Sequence, residues 1–148
     1  MRSEIEIRAI QPADAVAVSH LASQSGYDRS PLEICNWIES LHREQNRQAA
    51  FVVAVQRHAV GVIEISIEHQ LRRPPFAVLG ALFIAKGYQN RGFRSLLCAR
   101  AEDWARARGV KIVRALSNKS NTEAHRFYLQ NGFHLTSESV VFEKPHLG

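Results

Sequence analysis

The chain of 148 residues has the usual length of one globular domain, and its apolar content of 45% is enough for a buried core. Charged residues make up 22% of the chain, which excludes a disordered composition. Lys and Arg number 19 against 14 Asp and Glu, and the net charge of +5 suits anionic ligands such as phosphates. The basic residues are scattered, so the sequence lacks the continuous basic stripe of a nucleic-acid-binding domain.

The two cysteines, Cys35 and Cys98, have neither metal-site spacing nor a disulfide framework, which favours a reduced cytoplasm. The first residues contain no apolar signal core, and no stretch approaches 18 apolar residues. We therefore expect a cytoplasmic protein with a single domain over residues 1–148, no metal, and no membrane or nucleic-acid partner.

Hydrophobic periodicity predicts the element order β-α-α-β-β-β-α-β-α-β. Strands are predicted near residues 5–7, 51–55, 63–67, 77–85 and 111–116, with one or two more over 133–142. Helices are predicted over 12–26, 31–47 and 92–109, and from a Ser120–Glu123 capping box to 131. Residues 71–75 are expected to be a loop because two prolines cannot continue a ladder. This order predicts an α/β fold with a mixed, mostly antiparallel sheet of six to seven strands flanked by about four helices.

The most informative segment is the strand-loop-helix junction over residues 82–95. The start of a helix directs backbone N–H groups outward, with the positive end of the helix dipole behind them, and this arrangement binds phosphates. Gly92 would let a phosphate approach the backbone, and Arg91 and Arg94 could add charge-assisted bonds. Taken alone, the segment is equally consistent with an ordinary turn that carries solvated arginines.

Two motifs resemble those of the GNAT superfamily of N-acetyltransferases. Leu82-Phe83-Ile84 and Tyr88-Gln89-Asn90-Arg91-Gly92-Phe93-Arg94 resemble its acetyl-CoA signature, Q-x-x-G-x-G/A. Ser120-Asn121, Ala124-His125-Arg126-Phe127-Tyr128 and Asn131-Gly132-Phe133 resemble its later motif. The resemblance covers nearly the whole chain, implies the GNAT fold, and is greatest for small-amine acetylators, including the aminoalkylphosphonate N-acetyltransferases.

The resemblance implies acetyl-CoA as co-substrate and assigns residues to it. The backbone of Leu82, Phe83 and Ile84 would pair with the pantetheine arm like an added strand, with the Ile84 N–H near the thioester carbonyl. Tyr128 would protonate the departing thiolate. The implied cofactor-binding residues are Leu82, Phe83, Ile84, Gln89, Asn90, Arg91, Gly92, Phe93, Arg94, Ser95 and Asn121.

The sequence departs from the family pattern in two places. Arg94 stands where the signature has its second small residue, and the carboxylate that many relatives carry is missing from residues 78–81 and 115–116. An alkylamine has a pKa of roughly 10, so a base or a water chain must remove its proton. Glu64 and Glu68 are the candidate bases or water-positioning groups, although carboxylates on an alternating strand are usually just solvated. His69 and His125 are further candidates, because histidine is a common general base.

The sequence thus predicts transfer of an acetyl group from acetyl-CoA directly to the primary amine of a small molecule. Acetylation of a protein N-terminus or lysine, and an acyl-CoA-binding regulatory module without catalysis, stay open as alternatives. Cys98 is expected to be a buried small residue rather than a nucleophile. Arg72 and Arg73 suit either a solvated loop or contact with an anionic acceptor. A homodimer is possible.

Overall fold

The computed structural model describes residues 4–148, in which five strands and four α-helices follow the predicted order as far as the last helix. The strands are β1 (Ile5–Ala9), β2 (Gln48–Val55), β3 (His58–Gln70), β4 (Arg73–Ile84) and β5 (Val113–Ala115). The helices are α1 (Ala15–Gln24), α2 (Pro31–Arg43), α3 (Phe93–Ala107) and α4 (Thr122–Gln130). The chain divides into two compact units, Met1–Leu116 with all five strands and Ser117–Gly148 with α4. Among the described residues, no helix is long and apolar enough to cross a membrane.

The five strands form one sheet in the order β1-β2-β3-β4-β5, in which β1 to β4 are antiparallel and β5 is parallel to β4. Side chains alternate between its two faces. Helices α1 and α2 pack their apolar residues, such as Val18 and Ile38, on the face that carries Ala50 and Val62. This surface is called the α2 face below. The opposite face carries Phe51 and is covered by α3, so the fold is a mixed α/β architecture as predicted.

Helix α2 begins where the sequence combines a cap, a proline and an acidic residue. The Ser30 hydroxyl accepts a hydrogen bond from the Glu33 N–H (3.1 Å), and the Ser30 N–H donates to the Glu33 carboxylate (2.9 Å). Pro31 occupies the first helical position, where no N–H is needed. The buried stripe of α2, formed by Ile34, Ile38 and Leu41, holds the helix on the sheet. The helix ends at Arg43, shorter than the predicted end near residue 47.

The predicted closing strands over residues 133–142 are wrong, because the structure has no strand between residue 116 and residue 148. A strand needs a partner backbone, and the sheet ends at β5. Val140, Val141 and Phe142 are instead exposed. The sheet therefore has five strands within residues 4–148, rather than the six to seven expected.

The loop predicted over residues 71–75 is also wrong in its second half, because β4 begins at Arg73. Pro74 and Pro75 are exposed and lie where the β3–β4 register shifts between Glu68 and Gln70. At such an irregularity the missing proline N–H groups interrupt no regular ladder, so both prolines fit within a strand.

The start of α4 differs from the predicted capping box as well. Asn121 is the N-cap, and its side-chain oxygen accepts a hydrogen bond from the Ala124 N–H (3.1 Å). The Ser120 hydroxyl donates to the Asn118 side chain instead (2.8 Å). The Asn cap satisfies the Ala124 N–H, whereas the predicted Ser120 cap would have satisfied that of Glu123, so the helix start is shifted by one residue.

We expect Asp14→Ala to lower the free energy of unfolding by about 3 kcal/mol, because the Arg8 guanidinium loses its buried partner and keeps only the more distant and exposed Glu6 carboxylate (3.6 Å). Asp14 is 5% exposed, accepts from both terminal nitrogens of Arg8 (2.8 and 2.9 Å), and joins β1 to the start of α1. Chemical denaturation measures the loss. Asp103→Ala is the control, since its pair with Arg106 is short (2.6 Å) but about two-thirds exposed and should contribute less than about 1 kcal/mol. Equal losses in the two variants would contradict the inference that the buried Asp14–Arg8 pair stabilises the fold more than the exposed pair does.

Candidate active site

Strand β4 has an open edge along its last five residues. Strand β5 pairs only with Ala77–Leu79, so no strand within residues 4–148 pairs with residues 80–84 on the side away from β3. In an antiparallel pair, alternate residues direct their N–H and C=O groups toward the partner strand. The Ala85 N–H donates to the Val60 carbonyl (2.8 Å), so Phe83 also faces β3, whereas Leu82 and Ile84 direct their backbone groups to the open side. This edge can accept an extended ligand as an added strand.

The open edge leads into the predicted phosphate loop. Gly92 is the N-cap of α3, with φ of +79°, and a Cβ built there would meet nothing within 4 Å. Asn90 also has a positive φ of 64°. The guanidinium of Arg91 lies 4.9 Å from the ring centroid of Tyr88, which in turn stacks on Phe93. The loop therefore presents a helix start and a positioned cation at a surface with room for a phosphate.

Glu64 on β3 lies close to the residues of β4 that lack the family's carboxylate. The β3–β4 register shifts between Ile63 and Ile65, so that Glu64 lies opposite Gly80 and Ala81 together. Such a bulge leaves one N–H without its ladder partner. The Ala81 N–H donates to the Glu64 carboxylate (2.8 Å), and this bond fixes where the side chain lies.

Gly80 provides the space for that carboxylate. A Cβ built on Gly80 would overlap the Glu64 side chain, whose Oε1, Cγ and Cδ atoms are its nearest neighbours. Glu64 thus crosses from its own strand to lie over β4. The carboxylate absent from residues 78–81 is replaced by one that a neighbouring strand places above the same residues.

A cavity of about 230 Å³ lies beside this carboxylate on the α2 face. Trp37 from α2 is among the side chains that line it, and Ser66 and Gln48 add hydrogen-bonding groups from β3 and β2. The full lining is Trp37, Leu41, Gln48, Ala49, Glu64, Ile65, Ser66, Val78 and Gly80. A half-buried carboxylate in an aromatic-lined cavity is suited to bind an ammonium group.

The structure distinguishes between the two glutamates proposed from the sequence. Glu68 is exposed, lies opposite Phe76 in the register, and is not among the residues that line the cavity. The Nε2 of His125 bonds to the Asn118 carbonyl (3.0 Å) next to the start of α4, and His69 is exposed near the end of β3.

Cys98 is 2% exposed on α3, and burial raises the pKa of its thiol to about 12. A thiol with this pKa stays protonated at neutral pH, so it offers no nucleophile. Within residues 4–148, no group of three His, Cys, Asp or Glu side chains is placed to hold a metal ion.

The C-terminal unit carries Asn121 and Tyr128, the two residues of the later motif to which the sequence analysis assigns a role. Asn121 uses its side-chain oxygen to cap α4, which leaves its amide NH₂ group as the donor for a ligand. Tyr128 is half-buried, with edge-to-face contacts to Phe127 (5.4 Å) and Phe133 (5.2 Å). These aromatic contacts fix the tyrosine ring on α4.

Sequence reasoning missed Trp37 and Gly80 as site residues. Trp37 was visible only as one member of the apolar face of α2. Gly80 carried a signal, since a glycine inside a strand often marks a bulge or a close approach. Which neighbour approaches it depends on the strand register, and the register is not readable from residue types alone.

Comparison with known proteins agrees with this geometry. Residues 15–133 match the acetyltransferase (GNAT) family. A segment of 58 residues is 40% identical to the uncharacterized N-acetyltransferase YhdJ of Bacillus subtilis (strain 168), over 38% of this chain and 39% of that protein. The matched segment thus spans about two-fifths of that relative.

Solved structures with the same fold include aminoglycoside N-acetyltransferase AAC(6')-Iy in complex with CoA, with a TM-score of 0.87 and 19% identity over 99% of this chain and 98% of that one. Glucosamine-6-phosphate N-acetyltransferase from Arabidopsis thaliana has a TM-score of 0.80 and 14% identity over 95% and 97%. At these identities the likeness concerns the fold. Because the family match extends over most of the chain, this protein belongs to the GNAT family of acetyltransferases.

Proposed function

We propose that the chain transfers the acetyl group of acetyl-CoA directly to the primary amine of a small molecule, with Glu64 as the group that receives the amine proton. The observation that carries the proposal is the Glu64 carboxylate, held over Gly80 beside a cavity and next to the open edge of β4. Acetyl-CoA supplies the activated acyl group. The open edge and the loop at Gly92 fit its pantetheine arm and its pyrophosphate.

The reaction needs a neutral amine. Glu64 can take up the proton, directly or through one water, while its bond from Ala81 keeps the carboxylate aimed at one position. The amine nitrogen then forms a bond to the acetyl carbon as the carbon–sulfur bond breaks. The Ile84 N–H, which faces the open edge, donates to the acyl oxygen as it gains charge.

The departing sulfur leaves with the bonding electron pair and takes a proton from Tyr128, and the second proton that the nitrogen loses on becoming an amide restores the tyrosine hydroxyl. This role rests on the family motif of α4, in which Tyr128 follows Ala124-His125-Arg126-Phe127. A simple thiol has a pKa of about 8.5, so a nearby acid lowers the barrier to its departure. No enzyme nucleophile enters the scheme, which agrees with the buried and protonated Cys98.

A small-molecule acceptor is favoured by the size of the cavity, about 230 Å³, and by neighbours named for aminoglycoside and glucosamine-6-phosphate acetylation. The alternative of a CoA-binding module without catalysis rested on the missing carboxylate and on Arg94 in the phosphate loop. Glu64 provides a carboxylate at that place, so the enzyme is the better-supported reading.

The first test of the cofactor site is Gly92→Val. A branched side chain would occupy the space above the loop, and we expect acetyl-CoA affinity to fall at least about tenfold, as measured by calorimetry. Gly109→Val is the matched control, since Gly109 has nearly the same φ (+77° against +79°) and is equally open, but lies just beyond the C-terminal end of α3. Both variants should lose similar stability. Equal acetyl-CoA affinity in the two would exclude this loop as the phosphate site.

The second test separates the charge of Glu64 from its position. Glu64→Gln should lower kcat about 10²–10⁴-fold by removing the base. Gly80→Ala should also lower it while the protein still folds, because the clash falls on the end of a flexible side chain. In the Glu64→Gln background, Gly80→Ala should add little, since both changes remove the same group. Independent, multiplicative losses would show that Gly80 does not act by placing Glu64.

The third test is Tyr128→Phe, which removes one hydroxyl and keeps the ring contacts with Phe127 and Phe133. Acetyl-CoA affinity and melting temperature should stay close to those of the parent protein. The single-turnover rate should fall about 10²-fold or more, because the hydroxyl acts as the sulfur gains charge. A rate within twofold of the parent, with lowered stability, would assign Tyr128 to packing alone.

A further inference from the structure

Two arginines lie against one buried phenylalanine on β4. The guanidinium carbon of Arg73 is 4.2 Å from the ring centroid of Phe76, and that of Arg114 is 5.2 Å from the same centroid. Phe76 is 2% exposed, whereas both arginines are only half-buried. The ring thus fixes two positive groups that still reach solvent.

The strand register places these arginines on the same face as the cavity. Directly paired residues project to the same side of a sheet, and Arg114 is the partner of Val78, which lines the cavity with Glu64. Phe76 lies two residues before Val78 and therefore projects to the same side. The arginine pair continues the α2 face from the cavity toward the start of β4.

Within residues 4–148, no carboxylate forms an ion pair with Arg73 or Arg114. Glu68, the partner of Phe76 in the register, lies nearby but is not bonded to either of them. The arrangement differs from that of Arg8, whose guanidinium is bonded to a buried aspartate. Two guanidinium groups without a carboxylate partner, both in contact with one ring, form a site suited to a carboxylate, phosphate or phosphonate.

We propose that the acceptor is an amine that also carries an anionic group. Its ammonium end lies in the cavity with Glu64 and Trp37, and its anionic end lies against Arg73 and Arg114. Glu64 and the arginines thus present opposite charges to the two ends of one substrate, which fixes its orientation. This inference rests on the proposed function, because it names the acceptor of that reaction.

The spacing of β4 sets the length of such a substrate. Gly80 lies two residues from Val78 and four from Phe76, which corresponds to about 7 and 13 Å along a strand. The flexible arginine side chains and Glu64 both shorten the gap that the substrate must span. An amine and an anion separated by several bonds fit this distance better than an α-amino acid does.

The test compares matched acceptors in a CoA-release assay with the full chain. The acidic series runs from glycine to 6-aminohexanoate, and each member is paired with the amino alcohol of equal length. We expect kcat/KM for 6-aminohexanoate to exceed that of 6-aminohexanol about tenfold or more, and glycine to be poor. Arg73→Gln and Arg114→Gln should each reduce that ratio, chiefly through KM. Arg100→Gln is the control, because Arg100 stacks on Phe51 (4.4 Å) on the opposite face of the sheet and should leave the ratio unchanged.

Calorimetry of 6-aminohexanoate with the CoA-bound protein gives a second readout, which serves if either arginine variant turns over too slowly. Affinity should fall in both variants and not in Arg100→Gln. Equal use of acids and alcohols by the parent protein, or an acid preference that survives both arginine changes, would overturn the inference and leave the acetyltransferase intact. Absence of acetyl-CoA binding and of CoA release with every amine would instead overturn the proposed function.

Discussion

The site depends on the unequal pairing of β4. On one side β4 follows β3 to its end at Ile84, and on the other it pairs with β5 over only Ala77–Leu79. The backbone bonds to β3 hold the strand in the sheet, while Leu82 and Ile84 keep donors and acceptors on the open side. A longer β5 would satisfy those groups and close the edge. The shortness of β5 therefore leaves this edge of the sheet open to the proposed extended ligand.

The bulge at Glu64 is the second consequence of how β3 and β4 meet. The extra residue on β4 leaves the Ala81 N–H without a backbone acceptor, and the Glu64 carboxylate on the opposite strand accepts its hydrogen bond. The same bond satisfies a backbone donor and orients a carboxylate, so a local irregularity of the ladder positions a chemical group. Gly80 is needed because any larger residue would occupy the space in which that carboxylate lies. The proposed base thus lies on the strand next to the one on which many family members carry their carboxylate.

The two faces of the sheet differ in how fully helices cover them. Helix α3 packs Leu97 and Ala101, both fully buried, behind the sheet, and its first turn meets the phosphate loop. On the α2 face the helices pack against residues such as Val52 and Val62, and toward the start of β4 the same face opens into the cavity and then onto the arginine pair. Acyl donor and acceptor can therefore approach β4 from its edge and from this face, respectively. The charges follow the same division, with Glu64 near the acyl end and the arginines farther along the strand.

The sequence alone determined most of the elements and the family. Periodicity located α1 to α4, and the motif around Gly92 indicated the cofactor, because local steric rules and helix-start chemistry act over a few residues. The prediction from sequence was wrong at residues 133–142, whose apolar residues suggest a strand but have no partner strand. It was also wrong at Pro74 and Pro75, which fit a strand only because the register shifts beside them. Only the tertiary structure brought Glu64 over Gly80, Trp37 beside them, and Arg73 and Arg114 onto one ring. Those contacts join residues far apart in the chain, and they depend on strand register and on which face each helix covers, neither of which is encoded in any single stretch of sequence.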